Sequence, residues 1–66
     1  MNDTVIITDT ANHSRNNYVT SCQEWSGICD MGTRNEAMSY DLEYAIRLIR
    51  KLNRLNSTAK LTYEWK

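Results

Sequence analysis

Short β-strands are predicted near the start of the chain by a run of β-branched residues, and near its end by an alternation of apolar and polar residues with a period of two. Residues 4–8 are all β-branched, which favours an extended conformation, and they place Val5 and Ile7 on one face. The polar segment 11–17 contains three asparagines and predicts the connection of a hairpin. The predicted strands are 4–8, 18–25, a short segment 28–31 between two glycines, and 61–65.

A helical pattern occupies the middle of the chain, from Thr33 to about Leu55. Thr33-Arg34-Asn35-Glu36 matches a capping box, in which the threonine hydroxyl and the glutamate carboxylate bond each other's backbone N–H groups. We therefore expect the helix to begin at Thr33. Its apolar stripe consists of Met38, Leu42, Ala45, Ile49 and Leu52, flanked by Ala37, Ile46 and Leu48.

These elements follow the order β-β-(β)-α-β and predict an α+β fold. We expect one domain spanning residues 1–66, in which a small antiparallel sheet of three to four strands packs on one long α-helix. A chain of this length buries only about 60% of the surface that its unfolded form exposes. Because the sequence contains no phenylalanine, we expect Trp25 and Trp65 to lie in the core.

Charge balances over the whole chain, with eight basic and eight acidic residues. This balance gives no support to a general nucleic-acid or membrane binder, and no apolar run predicts a membrane span. The distribution is uneven, because residues 1–32 carry a net charge of 1 − 4 = −3 and residues 33–66 carry 7 − 4 = +3. Such a chain favours pairing with a second copy as a homodimer, or with a partner that has an acidic patch.

Metal, cofactor and redox chemistry find little support in the sequence. Cys22 and Cys29 are the only cysteines, and without secretory features we expect reduced thiols and a cytoplasmic location. Six residues separate them, so they could meet across neighbouring strands. His13 is the sole histidine and lies in a polar loop. We expect no metal and no cofactor.

Catalytic residues are not predicted. A cysteine-dependent enzyme is an alternative, but it would require Cys22 to approach His13 from the neighbouring loop. Asp41 is the one charged residue within the apolar arc of the predicted helix. We expect it to be hydrogen-bonded, to lie at the edge of the stripe, or to meet a partner.

The outer face of the predicted helix combines aromatic and basic residues. Tyrosine and arginine dominate protein interfaces, so this face predicts a binding site for a protein partner. Alternatively, the tyrosines stack on the bases of a single-stranded nucleic acid and the cations bind its phosphates. A third alternative is that the sheet or another subunit covers this face. The candidate residues are Tyr40, Tyr44, Arg47, Arg50, Lys51 and Arg54.

The segment from Ser26 to Ala37, with two glycines, a threonine and a Glu-Ala pair before a helix, resembles the small HicB-type antitoxin domain. The resemblance extends over residues 4–52, although Glu24-Trp25-Ser26 replaces the family's proline-containing turn. It implies a non-catalytic, partial ribonuclease-H-like fold that pairs with a toxin and with itself. In size and neutral charge the chain also resembles small phage-encoded inhibitors of host proteins.

Overall fold

The computed structural model describes residues 3–23 and 25–66, which form an α+β fold with one antiparallel sheet and one helix. The predicted α+β class is confirmed, although the helix is shorter than expected and the sheet has five strands in place of three to four, with an additional strand directly before the helix. None of the described helices is both long enough and apolar enough to span a membrane. The elements are β1 (Thr4–Asp9), β2 (Tyr18–Gln23), β3 (Ile28–Gly32), a 3-10 turn (Arg34–Glu36), β4 (Tyr40–Asp41), α1 (Leu42–Leu55) and β5 (Leu61–Trp65).

Strand β1 is the centre of the sheet, because both of its edges are paired. Along one edge it pairs antiparallel with β5 from Val5 to Asp9. Its other edge is shared by β2, which pairs at Thr8, and by β4, which pairs at Thr4 and Val5. Both faces of β1 are also covered, which explains its uninterrupted β-branched sequence.

The hairpin formed by β2 and β3 turns away from β1 toward the helix. A register shift between Val19 and Ser21 marks the bend, as is typical of a β-bulge. Beyond the bulge, Cys22 lies directly opposite Cys29 and a disulfide joins them, so the prediction of reduced thiols was wrong. Glu24, which the predicted strand 18–25 included, lies outside the described residues.

The helix begins nine residues later than the capping box predicts. The Glu36 carboxylate does accept bonds from the N–H and the hydroxyl of Thr33, both at 2.9 Å, but the motif caps only the 3-10 turn. Ala37 is extended, with φ −61° and ψ 137°, and the Met38 N–H donates to the Val19 carbonyl. The segment thus joins the sheet before α1 starts at Leu42.

The core lies between α1 and one face of the sheet. Ala45, Leu48 and Leu52 are buried against Val5, Ile7 and Val19, and Leu42 and Ile49 are half-buried beside them. The predicted aliphatic stripe therefore docks on the sheet, except that Met38 precedes the helix and is exposed. Asp41 lies outside the stripe, exposed at the N-cap of α1, where its negative charge complements the helix dipole.

On the opposite face of the sheet, a polar network crosses over β1. The Tyr18 hydroxyl donates to the Glu64 carboxylate, at 3.1 and 3.2 Å from its two oxygens. Arg34 Nε lies 3.5 Å from Glu64 Oε1. Tyr18 pairs with Thr8 on one side of β1, and Glu64 pairs with Ile6 on the other. Their hydrogen bond therefore spans β1, which explains why Ile6 is buried although no helix packs on this face.

Both tryptophans are exposed, so their predicted place in the core was wrong. Trp25 is 81% exposed in the β2–β3 turn, and Trp65 is 57% exposed on β5. Aliphatic side chains of β1, β2 and α1 form the small buried core, namely Val5, Ile7, Val19, Ala45, Leu48 and Leu52. Two large aromatic residues are therefore free to take part in contacts on the surface.

Candidate functional site

The two flanks of α1 face different parts of the sheet. On one flank, the Asn53 carboxamide bonds to Leu61 of β5. On the other flank, Leu55 contacts the hairpin turn at Gly27, where a Cβ would come within 3.0 Å of the Leu55 Cβ. Gly27 has φ +75°, a conformation that glycine adopts readily. The helix therefore has a β5 flank and a hairpin flank, with a solvent ridge between them.

The predicted cations of the helix are exposed on this ridge and toward the hairpin flank. Arg47, Arg50, Lys51 and Arg54 are all exposed, and Glu43 is the only acidic residue of α1. Cations in the last turns of a helix also complement its dipole, so part of their role is structural. Four cations against one anion nevertheless give the outer surface of α1 a positive charge of +3.

The two predicted tyrosines lie together but differ in exposure. Tyr40 belongs to β4, not to the helix, and is half-buried against the core. Tyr44 lies in the first turn of α1 and is 44% exposed. Their rings are stacked, with centroids 5.7 Å apart and planes inclined by 29°. The stack fixes the Tyr44 ring at the N-terminal end of the hairpin flank.

Exposed apolar residues that the sequence pattern did not predict as part of a site continue along the hairpin flank. Leu55 is 51% exposed at the end of α1, next to the turn that carries Trp25. At about 100° per residue, Tyr44, Lys51 and Leu55 lie within about 40° of each other around the helix. This angular grouping follows from the sequence, but the contact between the hairpin turn and Leu55 does not. We call Trp25, Tyr44, Arg47, Lys51 and Leu55 the hairpin-flank surface.

A small cavity lies behind this surface, between the end of α1, the hairpin and the start of β5. Its volume is about 130 Å³. The walls include the side chains of Cys29, Met31, Leu52 and Leu61, with Asp9 and Asn56 as polar neighbours. Asp9 Oδ1 already accepts bonds from the N–H groups of Ala11 and Lys60, at 3.0 and 3.1 Å. The cavity is comparable to one apolar side chain in size, well below the volume of typical ligand pockets.

On the β5 flank, a second pair of aromatic residues accompanies an edge strand. The Tyr63 and Trp65 rings meet edge to face with centroids 5.9 Å apart. Within the described ranges, β5 pairs with β1 alone. Asn53 occupies the outer edge of β5 at Leu61, and the Arg34 guanidinium donates to the Trp65 carbonyl at 3.4 Å. These side chains bond to backbone groups at both ends of the edge, which hinders its pairing with another strand.

Groups suited to catalysis or metal binding are dispersed. Both sulfurs belong to the Cys22–Cys29 disulfide, so neither is a thiol in this structure. His13 is exposed in the β1–β2 loop, as predicted. Across residues 3–23 and 25–66, no cluster of three or more histidine, cysteine or acidic side chains could hold a metal ion.

Two groups have shifted pKa values, the carboxylate of Glu36 and the phenol of Tyr18. Both take part in hydrogen bonds that stabilise the fold. The backbone and hydroxyl donors of Thr33 lower the pKa of Glu36. Desolvation, together with the hydrogen bond and the charge of Glu64, raises the pKa of Tyr18. Neither group lies on the hairpin-flank surface.

The fold and the site define this protein as a two-layer α+β domain with a positively charged, partly apolar helix flank. No protein-family model, curated protein or solved structure matches the chain.

Proposed function

We propose that this protein is a non-enzymatic binding protein that regulates or inhibits a protein partner through the hairpin-flank surface. The observation that carries the proposal is the combination of exposed apolar side chains with cations on one flank of a docked helix. Tyr44 and Leu55 are about half exposed, and Arg47 and Lys51 are exposed beside them. Apolar and aromatic centres with polar rims are typical of protein interfaces.

The biological setting of the proposal is that of an antitoxin-like protein or a phage-encoded inhibitor. The resemblance of residues 26–37 to HicB-type antitoxins supports the first setting, in which the chain pairs with a toxin. The second rests on size and charge. Both settings describe a small protein that acts by occupying the surface of a larger one.

A single-stranded nucleic acid is the second candidate, because Arg47, Arg50 and Lys51 could contact phosphates next to Tyr44. The tyrosine stack favours the protein partner. Tyr40 covers part of the Tyr44 ring, and Tyr40 is itself half-buried, so fewer ring faces remain for bases.

A cytoplasmic location belongs to the proposal, and the disulfide makes that location testable. Cytosolic reductants keep most thiols reduced. Rapid alkylation of thiols in intact cells, followed by gel-shift analysis, measures the oxidised fraction of Cys22 and Cys29. A mainly reduced pair agrees with a cytoplasmic protein, whereas a fully oxidised pair places it in an oxidising compartment.

The central test is capture of the native partner by the tagged chain in a lysate of the organism that encodes it. We expect the double variant Tyr44→Ala/Arg47→Ala to lose the captured protein while retaining its fold by circular dichroism. Trp65→Ala is the matched control, because it removes an exposed aromatic residue from the opposite flank.

Nuclease treatment separates the two candidates. Capture that survives nuclease and is lost in the double variant supports the protein partner. Equal capture by the wild type and the double variant contradicts the proposed surface. Recovery of nucleic acid, with affinity that falls steeply as salt rises, supports the second candidate instead.

A further inference from the structure

We infer that the hairpin-flank surface takes an acidic amphipathic helix about three turns long. The inference rests on the proposed function and specifies the partner element. The helix would lie along α1, with apolar side chains against Tyr44 and Leu55 and carboxylates toward Arg47 and Lys51.

The apolar contacts set the length of the bound element. Tyr44 and Leu55 are eleven residues apart on α1, which corresponds to about 16 Å along the helix axis. Trp25 extends the row at the Leu55 end, because its turn contacts Leu55 through Gly27. A row of this length matches about eleven residues of a partner helix, with anchors on one face at each end.

Backbone hydrogen bonding favours a helix over an extended segment. A strand that binds by β-augmentation needs an open strand edge. On the hairpin flank the partner meets α1, whose backbone groups are bonded within the helix. A partner that lies along α1 therefore gains only side-chain contacts, whereas β3, which pairs with β2 alone within the described residues, is the strand that an extended partner would join. A helix pairs its own backbone N–H and C=O groups, so it binds such a surface without leaving these groups unpaired.

Charge determines the polar residues of the partner. Arg47 and Lys51 border the apolar row on its solvent side, and Arg54 lies one turn further along the ridge. Glu43, the only acidic residue of α1, lies one turn before Arg47 and about 40° further from the apolar row, so Arg47 and Lys51 lie between it and that row. A partner helix with glutamate or aspartate beside its apolar stripe would complement these cations, and a basic helix would be repelled.

The disulfide-linked hairpin holds the far end of the row in place. Cys22 and Cys29 join β2 to β3 just before the turn, and Gly27 fits closely against Leu55. The turn that carries Trp25 therefore lies next to the end of α1 before a partner arrives, so its backbone loses little conformational entropy on binding.

The experiment uses synthetic 14-residue peptides and the ¹⁵N-labelled protein. One peptide carries leucine at positions i, i+3, i+7 and i+10 with glutamate on both sides of that stripe. A second replaces every glutamate by lysine, and a third scrambles the first. We expect the acidic amphipathic peptide alone to shift the amide signals of Trp25, Tyr44, Lys51 and Leu55.

Protein variants test the contacts. We expect Trp25→Ala and Leu55→Ala each to weaken binding of the acidic peptide by roughly tenfold, as is typical of interface anchors. Trp65→Ala on the β5 flank should leave the affinity unchanged. The charge-reversed variant Arg47→Glu/Lys51→Glu should lose the acidic peptide and gain the lysine peptide, which a merely structural role of these residues would not produce.

Equal binding of all three peptides, unchanged affinity in Trp25→Ala and Leu55→Ala, or shifts confined to Tyr63 and Trp65 would overturn the inference. Stronger binding of a 14-residue oligothymidine or of anionic lipid vesicles would overturn it as well. The same variants distinguish the two proposals. Native capture that is lost in Tyr44→Ala/Arg47→Ala but kept in Trp25→Ala and Leu55→Ala supports the proposed function and rejects the acidic helix. Native capture that is kept in Tyr44→Ala/Arg47→Ala contradicts the proposed function.

Discussion

The side-chain amide of Asn53 pairs with the backbone of Leu61 as a neighbouring strand would. The Leu61 N–H donates to Asn53 Oδ1 at 2.9 Å, and Asn53 Nδ2 donates to the Leu61 carbonyl at 3.2 Å. This pair joins the helix to the edge strand and covers backbone groups that would otherwise face outward. One residue thereby contributes both to stability and to protection of the sheet edge.

Replacing Asn53 by alanine should therefore have two effects. Loss of two hydrogen bonds should lower the free energy of unfolding by about 1–2 kcal/mol, as measured by urea denaturation. The uncovered edge of β5 should also increase self-association, as measured by sedimentation velocity. The control is Asn35→Ala, at an exposed position on the 3-10 turn, which should change neither quantity. A monomeric Asn53→Ala variant of full stability would contradict this role.

Reduction of the Cys22–Cys29 disulfide should destabilise the domain. The two cysteines are seven residues apart, and the loop that they close corresponds to about 2–3 kcal/mol of unfolded-state entropy. We expect urea denaturation of the wild type to shift to lower concentration when a phosphine reductant is added. The variant Cys22→Ser/Cys29→Ser should already be destabilised and should not respond to the reductant. A wild type that is indifferent to reduction would show that the bond does not constrain the chain.

Leu52 and Met38, both predicted members of the apolar stripe, should respond very differently to truncation. Leu52 is 1% exposed, so Leu52→Ala should cost about 3 kcal/mol and come close to unfolding so small a domain. Met38 is exposed before the helix, and Met38→Ala should cost less than about 1 kcal/mol. Thermal denaturation of both variants distinguishes this arrangement from a helix that starts at Thr33, in which the two costs would be similar.

The Glu36 carboxylate should make the stability depend on acidic pH. Its folded-state pKa lies below the ordinary value because Thr33 donates to the carboxylate, so the native state favours the ionised form. The resulting stabilisation is present above the unfolded-state pKa and is lost as the pH falls through the folded-state pKa. Carbon-detected NMR titration of Glu36 measures the shift directly.

Two variants check the cause of that shift. Thr33→Ala keeps the backbone donor but removes the hydroxyl, so it should raise the pKa of Glu36 part of the way toward its ordinary value. Glu36→Gln should remove this contribution to the pH dependence altogether. A pKa in Thr33→Ala equal to that of the wild type would show that the hydroxyl has no part in it.

The strands were largely predictable because their signals are local. The β-branched run around Val5 and the alternation from Leu61 to Trp65 correspond to β1 and β5, and Val5 and Ile7 share a face as expected. Which strands are neighbours was not predictable. The pairing of Val5 with Trp65 joins positions sixty residues apart, and no local pattern encodes it.

The start of α1 was predicted too early because a capping box marks the beginning of a helical turn but does not encode how long the helix is. The Glu36 carboxylate accepts the same hydrogen bond from the Thr33 N–H whether a single 3-10 turn or a long helix follows. What ends the turn is distant in sequence: the Met38 N–H bonds to Val19, and Tyr40 pairs with Val5. Tertiary pairing thus outweighed the helical pattern of residues 37–41.

The candidate surface was predictable in part. The cations of α1 and Tyr44 follow from helical periodicity, and the structure places them on the outer surface of the helix. Tyr40 was assigned to the helix because the wrong starting point extended the pattern backwards. Trp25 and Leu55 were missed because their proximity depends on the bulge that bends β2 and β3 toward the helix.

The central position of β1 also determines when a nascent chain can fold. One edge of this strand is filled by residues 61–65, which are synthesised last among the described elements. Until they leave the ribosome, β1 has an open edge and its isoleucines lack part of their cover. The sheet therefore closes only after β5 has emerged, and until then an emerging chain exposes an aggregation-prone strand.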